Sequence, residues 1–199
     1  MSTLELRAAG LPAGPAVHVR RAAQRDRAAL AGMFARCTGE TRYRRFHGHL
    51  NVLPEPYLTE ALSGSPVHFA LVALADDGSD DGSVVGLASC RTESAGVAEL
   101  GIMVEDAWQR LGIGGLLLRE LVGHASRIGL TTLKAQILTG QSWIIRVLRR
   151  YGTCETARVR DVLDVTLSID EDLVRPVCAP RRHPEPDRAG HRAVERQGP

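Results

Sequence analysis

Trp108-Gln109-Arg110-Leu111-Gly112-Ile113-Gly114-Gly115 is the stretch that decides how this chain reads. Its context matters more than its glycines. Upstream, Val97 to Val104 (VAELGIMV) is a near-continuous apolar run of strand length. Downstream, Leu111 to Ile128 carries Ile113, Leu116, Leu117, Leu121 and Ile128 on or near one helical face. Gly129 follows, where a left-handed cap is expected. The stretch therefore joins a strand to the start of a long helix. Glycines without a Cβ let a ligand approach the backbone. The first N–H groups of a helix lack internal partners, and the helix dipole adds positive potential there. Such a turn suits a diphosphate, and Arg110 could add a side-chain charge to the same anion.

Two nucleotide readings fit poorly. A dinucleotide fingerprint needs a third glycine, and Leu117 stands in its place. A phosphate-binding P-loop needs Gly-Lys-Ser/Thr, and the chain's one lysine, Lys134, lies in a strand-like segment. A glycine turn that only fits helix against sheet is the bland alternative.

Outward from this centre the chain alternates between strand and helix patterns. Val17 to Arg20 alternates as a strand, and Gln24 to Arg36 suits an amphipathic helix. Thr41 to His49 (TRYRRFHGH) is rich in arginine and aromatic residues and reads as a loop. EPYLTEAL (55–62) reads as a short helix. Val67 to Ala75 and Val84 to Arg91 flank ADDGSDDGS, whose Asp-Gly pairs signal a hairpin turn. After the long helix come a strand at Leu130 to Leu138 and a helix at Gln141 to Tyr151 closed by Gly152. Arg158 to Ile169 supplies one long or two short final strands. Residues 1–14 read as a loose leader and the Pro-rich stretch from Glu171 onward as a disordered tail, leaving one folded domain over 15–170. The order implies a mixed α/β (α+β) fold, a mixed sheet covered by helices.

Composition bounds the function. The 199 residues are 44% hydrophobic and 24% charged, as in an ordinary globular domain. The net charge of +2 is too balanced for a chain whose main task is gripping nucleic acid. No apolar run approaches the roughly 18 residues a membrane span needs. The four cysteines, Cys37, Cys90, Cys154 and Cys178, show no zinc spacing and read as thiols in a reducing, cytoplasmic setting. No metal set is expected.

Gln109-x-x-Gly112-x-Gly114 resembles the Gln/Arg-x-x-Gly-x-Gly/Ala signature of the GCN5-related N-acetyltransferases (GNAT). The likeness spreads through ELGIMVEDAWQRLGIGGLLLRELVGHA, LTTLKAQIL and GQSWIIRVLRRYG, and covers roughly residues 16–169. ETRYRRFHG is similar to a loop of bacterial members that acetylate protein lysines. The resemblance implies a mostly antiparallel sheet of six to seven strands, about four helices and two splayed central strands. It implies acetyl-CoA as co-substrate and a primary amine, on a small molecule or a protein lysine, as acceptor. Neither nucleic acid nor membrane is implied as partner; a homodimer is compatible with it, and oligomeric state stays open.

Residue by residue, the resemblance assigns the diphosphate and pantetheine to Gln109, Arg110, Leu111, Gly112, Ile113, Gly114 and Gly115. Backbone groups of Ile102, Met103 and Val104 would pair with the pantetheine arm as an added strand. An amide after a bulge in that strand would polarise the thioester carbonyl. Gln141 stands where many members carry a CoA-touching Asn. Leu148 stands where many carry a Tyr that protonates the leaving thiolate, and Tyr151 reads as a packing residue.

Glu99 is the first candidate for the base that takes a proton from the amine. It is a carboxylate on an apolar strand and shares strand parity with Met103. A strand-end Glu in solvent, or paired with Arg91, is the competing reading. Glu105 is the runner-up base and is expected to be solvated, because a carboxylate beside the turn would repel a diphosphate. Arg42, Arg44 and Arg45 with Tyr43, Phe46 and His47 could shape a substrate or CoA-phosphate site, or form a solvated loop. Arg146, Arg149 and Arg150 read as a solvated face or a 3′-phosphate contact. A second reading, from another class, is a catalytically weak acyl-CoA-binding regulatory module.

Overall fold

A computed structural model describes residues 16–65, 68–76 and 82–174. The strands are β1 (Val17–Arg21), β2 (His68–Ala75), β3 (Ser83–Ser94), β4 (Val97–Val104), β5 (Thr132–Leu138), β6 (Gly152–Val159) and β7 (Val162–Ile169). The α-helices are α1 (Arg27–Arg36), α2 (Gly39–Phe46), α3 (Glu55–Leu62), α4 (Ile113–Arg127), α5 (Trp143–Leu148) and α6 (Glu171–Val174). The strands make one seven-stranded sheet in the order β1-β2-β3-β4-β5-β7-β6. All neighbours are antiparallel except β4 and β5, which run parallel.

The sheet carries a core on each face. On one side Ile113, Leu117, Leu121 and Val122 of α4 pack against Phe69, Val85 and Leu133. On the other, Leu30, Met33 and Phe34 of α1 and Leu58 and Leu62 of α3 pack against Val72, Leu87 and Met103. β2 is therefore buried along its whole length, which explains its lack of alternation. Gly129 takes the left-handed conformation (φ +83°) just past α4.

Three expectations are corrected. First, TRYRRFHG is not a loop: it lies mostly in α2, which together with the short α6 brings the α-helices among the described residues to six. Its charge hides it from a periodicity reading, but its N-terminus is well capped. Thr38 Oγ1 accepts from the Thr41 N–H (3.2 Å), and Asp106 accepts from Thr38 N, Thr38 Oγ1 and Thr41 Oγ1 (2.8 Å each). Second, the last strands begin earlier, because Gly152 opens β6 rather than only closing a helix. β6 is an edge strand, mostly exposed, and lacks the apolar face that would mark it. Third, Glu171–Val174 forms the short α6. The expectations for residues 1–14, for the hairpin turn at 77–81, for Cys178 and for the chain beyond Val174 lie outside the described residues.

Candidate acetyl-CoA and acceptor site

β4 and β5 pair only at Val97/Thr132, Ala98/Leu133 and Glu99/Lys134. Beyond Glu99 the two strands separate, and Leu100 to Val104 lose their partners on that side. Strand backbone groups must be satisfied somewhere, so a ligand lying between the strands can pair with them as a strand would. The expected bulge in β4 is absent. Its register with β3 is continuous from Ala98 to Val104, and the irregularity falls at Thr92–Ser94 of β3. Glu93, in that irregularity, accepts an ion-paired hydrogen bond from Lys134 Nζ (3.0 Å).

The open end of the splay meets the N-terminus of α4. Gly112 sits there with φ +84°, a conformation strained for any other residue, and nothing lies within 4 Å of where its Cβ would be. Arg110 also has positive φ (63°). The Ile113, Gly114 and Gly115 N–H groups precede the first intrahelical bond, which Leu116 N makes to Gly112 O (3.0 Å). Ile113 and Met103 both turn their side chains into the core; Met103 lines the cavity described below, whereas Ile113 does not. Leu111 is 40% exposed.

Gln109 has a structural task that its motif position did not reveal. Its side-chain nitrogen donates to the Val104 carbonyl (3.0 Å) and to Thr41 Oγ1 (3.1 Å). It thus ties the glycine turn to β4 and, through Thr41, to α2. Glu105 is not solvated: it is 8% exposed and accepts from Arg36 Nε and Nη2 (2.9 and 2.8 Å). The runner-up base is consumed by a fork-to-fork ion pair that anchors α1 to the end of β4.

One cavity of about 1170 Å³ runs through this region and continues across the edge of β4. On the α4 and α5 side it is lined by Gln109, Arg110, Gly112, Gly114 and Gly115 of the turn, though not by Leu111 or Ile113, by Ala135 and Ile137 of β5, and by Gln141, Trp143 and Leu148. Arg150 also lines it, whereas Arg146 and Arg149 do not. Tyr151 is not among its lining residues and packs against the α4-side core. Burial raises the Tyr151 hydroxyl pKa. On the α2 and α3 side the cavity is lined by Arg45, Tyr57, His68, Arg91 and Glu99.

Glu99 points to this second half, as parity with Gly101 and Met103 requires. Its Oε2 accepts from Arg91 Nη2 (3.1 Å), and its side chain is 41% exposed. Pairing with Arg91 and access to the cavity therefore coexist. Burial holds the His68 imidazole below its ordinary pKa; the Glu60 contact opposes this and the Arg91 and Arg45 charges reinforce it.

The profile of the acetyltransferase (GNAT) family matches residues 40–152. The chain belongs to the GNAT family. It is thus an acyl-CoA-dependent N-acyltransferase that takes acetyl-CoA as co-substrate, and the backbone lining of the splay with the glycine-rich helix start fits that ligand. Solved structures share the fold. The GNAT domain of S. lividans PAT is 20% identical with a TM-score of 0.69, over 84% of this chain and 96% of that one. A GCN5-related N-acetyltransferase from Kribbella flavida is 17% identical with a TM-score of 0.61, over 77% and 98%. The yncA protein of Salmonella typhimurium, solved with its cofactor acetyl-CoA, is 20% identical with a TM-score of 0.60, over 81% and 99%. Among the described residues no helix is long and apolar enough to cross a membrane. No group of three His, Cys, Asp or Glu among them could hold a metal ion.

Proposed function

We propose that this GNAT enzyme acetylates a primary amine by direct attack within a ternary complex. The observation that carries the proposal is the cavity, which is continuous from the splayed strands to Glu99. Donor and acceptor can meet in it without a covalent enzyme intermediate. No cysteine is among its lining residues, and its two buried hydroxyls are engaged: Ser89 accepts from Arg45 (3.0 Å), and Thr41 donates to Asp106 (2.8 Å) and accepts from Gln109 (3.1 Å). A nucleophilic side chain of the enzyme is thus not needed.

Acetyl-CoA supplies the acetyl group as a thioester. The amide C–N bond forms as the thioester C–S bond breaks. Glu99, directly or through water, takes the proton from the attacking amine. The backbone of Ile102, Met103 and Val104 flanks the arm of the ligand. The N–H groups of Ile113, Gly114 and Gly115, with Arg110, hold the diphosphate. Gln109 and Leu111 shape that turn, and Gln141 offers its amide from the far wall. The thiolate leaves without a side-chain acid at position 148, which is reasonable for a thiol of pKa near 8.5. Free thiols at Cys37, Cys90 and Cys154 support a cytoplasmic setting.

A second reading, a catalytically weak acyl-CoA-binding module, draws on one observation: Leu148 is buried at the family's tyrosine position. Thermal shift with CoA together with a thiol-release assay separates the two. Both readings predict stabilisation by CoA, but only the first predicts thiol release when an amine is present.

A further inference from the structure

The acceptor half of the cavity holds a cation without an acid. Three arginines line this half: Arg44, Arg45 and Arg91. Arg44 pairs with Glu40, and Arg91 pairs with Glu99. Arg45 has no carboxylate partner among the described residues. Its guanidinium is nevertheless fixed. It lies over the Phe46 ring (4.7 Å) and the Tyr57 ring (5.5 Å), and Nη2 donates to Ser89 Oγ (3.0 Å). It also fills the space above Gly101 of β4, where any Cβ would overlap it.

This arrangement leaves polar atoms unused. Arg45 Nε is buried with no hydrogen-bond partner, and so is His47 Nε2. His68 is 4% exposed, and neither of its ring nitrogens has a hydrogen-bond partner; Glu60 stands 3.5 Å from Nδ1. Buried polar atoms without partners are costly and uncommon. The Arg45 guanidinium lines the cavity with no carboxylate on it among the described residues, and a planar guanidinium matches a carboxylate.

Spacing narrows the ligand further. Gly101, beneath Arg45, and Glu99 are two residues apart on the same face of β4, which is about 7 Å along a strand. An amine and a carboxylate on one carbon can sit between a guanidinium at one end and a general base at the other.

We propose that Arg45 anchors the acceptor's carboxylate and that the acceptor is a small zwitterion of the α-amino acid type. The Phe46, Tyr57 and His68 rings, which meet edge to face in sequence, form the wall beside it. The inference rests on the acetyl-transfer reading above. A protein lysine side chain offers an ammonium group but no carboxylate beside it, and leaves Arg45 without a partner.

The test is a thiol-release screen of the twenty L-amino acids, with the carboxamide of each active one and a set of lysine peptides. The expected result is a kcat/KM at least about ten-fold higher for the acid than for its amide. Arg45→Gln should abolish that difference and leave the KM for acetyl-CoA unchanged. Arg45→Lys should restore part of it, because the charge returns without the fork. Equal use of acid and amide by the wild type overturns the inference. So does better use of lysine peptides than of any amino acid, or an equal loss on acid and amide in Arg45→Gln. If no amine releases thiol, the acetyl-transfer reading fails on its own. Calorimetric titration of the CoA-bound protein with the N-acetyl amino acids then decides the inference. Binding lost in Arg45→Gln supports it, and no binding to the wild type overturns it.

Discussion

Glu99 and Lys134 are the last residues that β4 and β5 share in register. The pair marks the point where a parallel sheet edge becomes an open cleft. Glu99 thus stands where a pantetheine arm between the strands would end, and its carboxylate reaches the other half of the cavity. We expect Glu99→Gln to lower turnover at least about ten-fold, in line with general-base contributions of roughly 100- to 10,000-fold, with acetyl-CoA binding intact. Arg91→Ala, which removes only the partner of Glu99, should cost less. Equal losses in the two variants would mean that the ion pair, and not proton transfer, is what Glu99 provides.

The turn before α4 makes a separate demand on backbone. Gly112 needs positive φ, and a side chain at Gly114 would stand among the free N–H groups. Gly114→Val should weaken acetyl-CoA binding by roughly ten-fold or more through lost close approach. Its melting temperature without ligand should change little, since only Val104 lies near the added Cβ (3.9 Å). Isothermal titration beside thermal melting checks both statements. Unchanged affinity would remove the diphosphate from this turn.

Tyr151 should be dispensable for chemistry. It packs against the α4-side core and does not line the cavity. Tyr151→Phe should leave kcat within about two-fold of wild type, far short of the losses expected for a proton-transfer group. A larger loss measured in steady-state kinetics would restore it as the missing acid.

Acid sensitivity should come from two aspartates. Burial opposes the ionisation of Asp26, but bonds from Arg20 and from the Ala23 N–H, with the charges of Arg20 and Arg25, outweigh it. Its carboxylate pairs with both Arg20 nitrogens at 2.7 Å. Burial likewise opposes Asp106, and its bonds from Thr38 and Thr41 outweigh it. Both folded pKa values lie below the unfolded one of about 3.9. Their stabilisation is therefore full above about pH 4 and is lost as pH falls through the folded values. The melting-temperature gap between wild type and Asp26→Asn should persist at neutral pH and close in acid. A gap that widens in acid would reverse the sign.

The buried thiols should be inert. Burial pushes Cys37 up to about 11, with Asp106 and Glu105 adding to it, and pushes Cys90 up to about 12. At neutral pH an alkylating reagent should leave both unlabelled in the native protein, as peptide mass spectrometry would show. Labelling of Cys90 without unfolding would contradict its burial at 1% exposure.

The elements that were legible in the sequence are those whose burial follows one period. α4 shows its stripe through Ile113, Leu117 and Leu121, and β4 its apolar run, so the glycine turn between them could be placed. α2 and β6 were not legible for opposite reasons. α2 is held by caps and by its bonds to Asp106, which lies 65 residues from Thr41. β6 is held by pairing with β7, and its side chains stay mostly exposed. The site divides in the same way. Gly112 and Gly114 announce themselves, because backbone conformation is a local demand. Arg45 above Gly101 does not, because it depends on α2 docking across β4. The pairing of Glu105 is hidden for a related reason, since only the fold brings Arg36 to it.

The central claim is that acetyl-CoA bound at the splayed strands gives its acetyl group to an amine in the same cavity. Its most direct test couples thiol release to product mass, with purified protein, acetyl-CoA and the amine panel. The account predicts one acetylated amine for each thiol released, with release lost in Glu99→Gln and acetyl-CoA still raising the melting temperature of that variant. Acetyl-CoA that neither shifts melting nor releases thiol with any amine would contradict it.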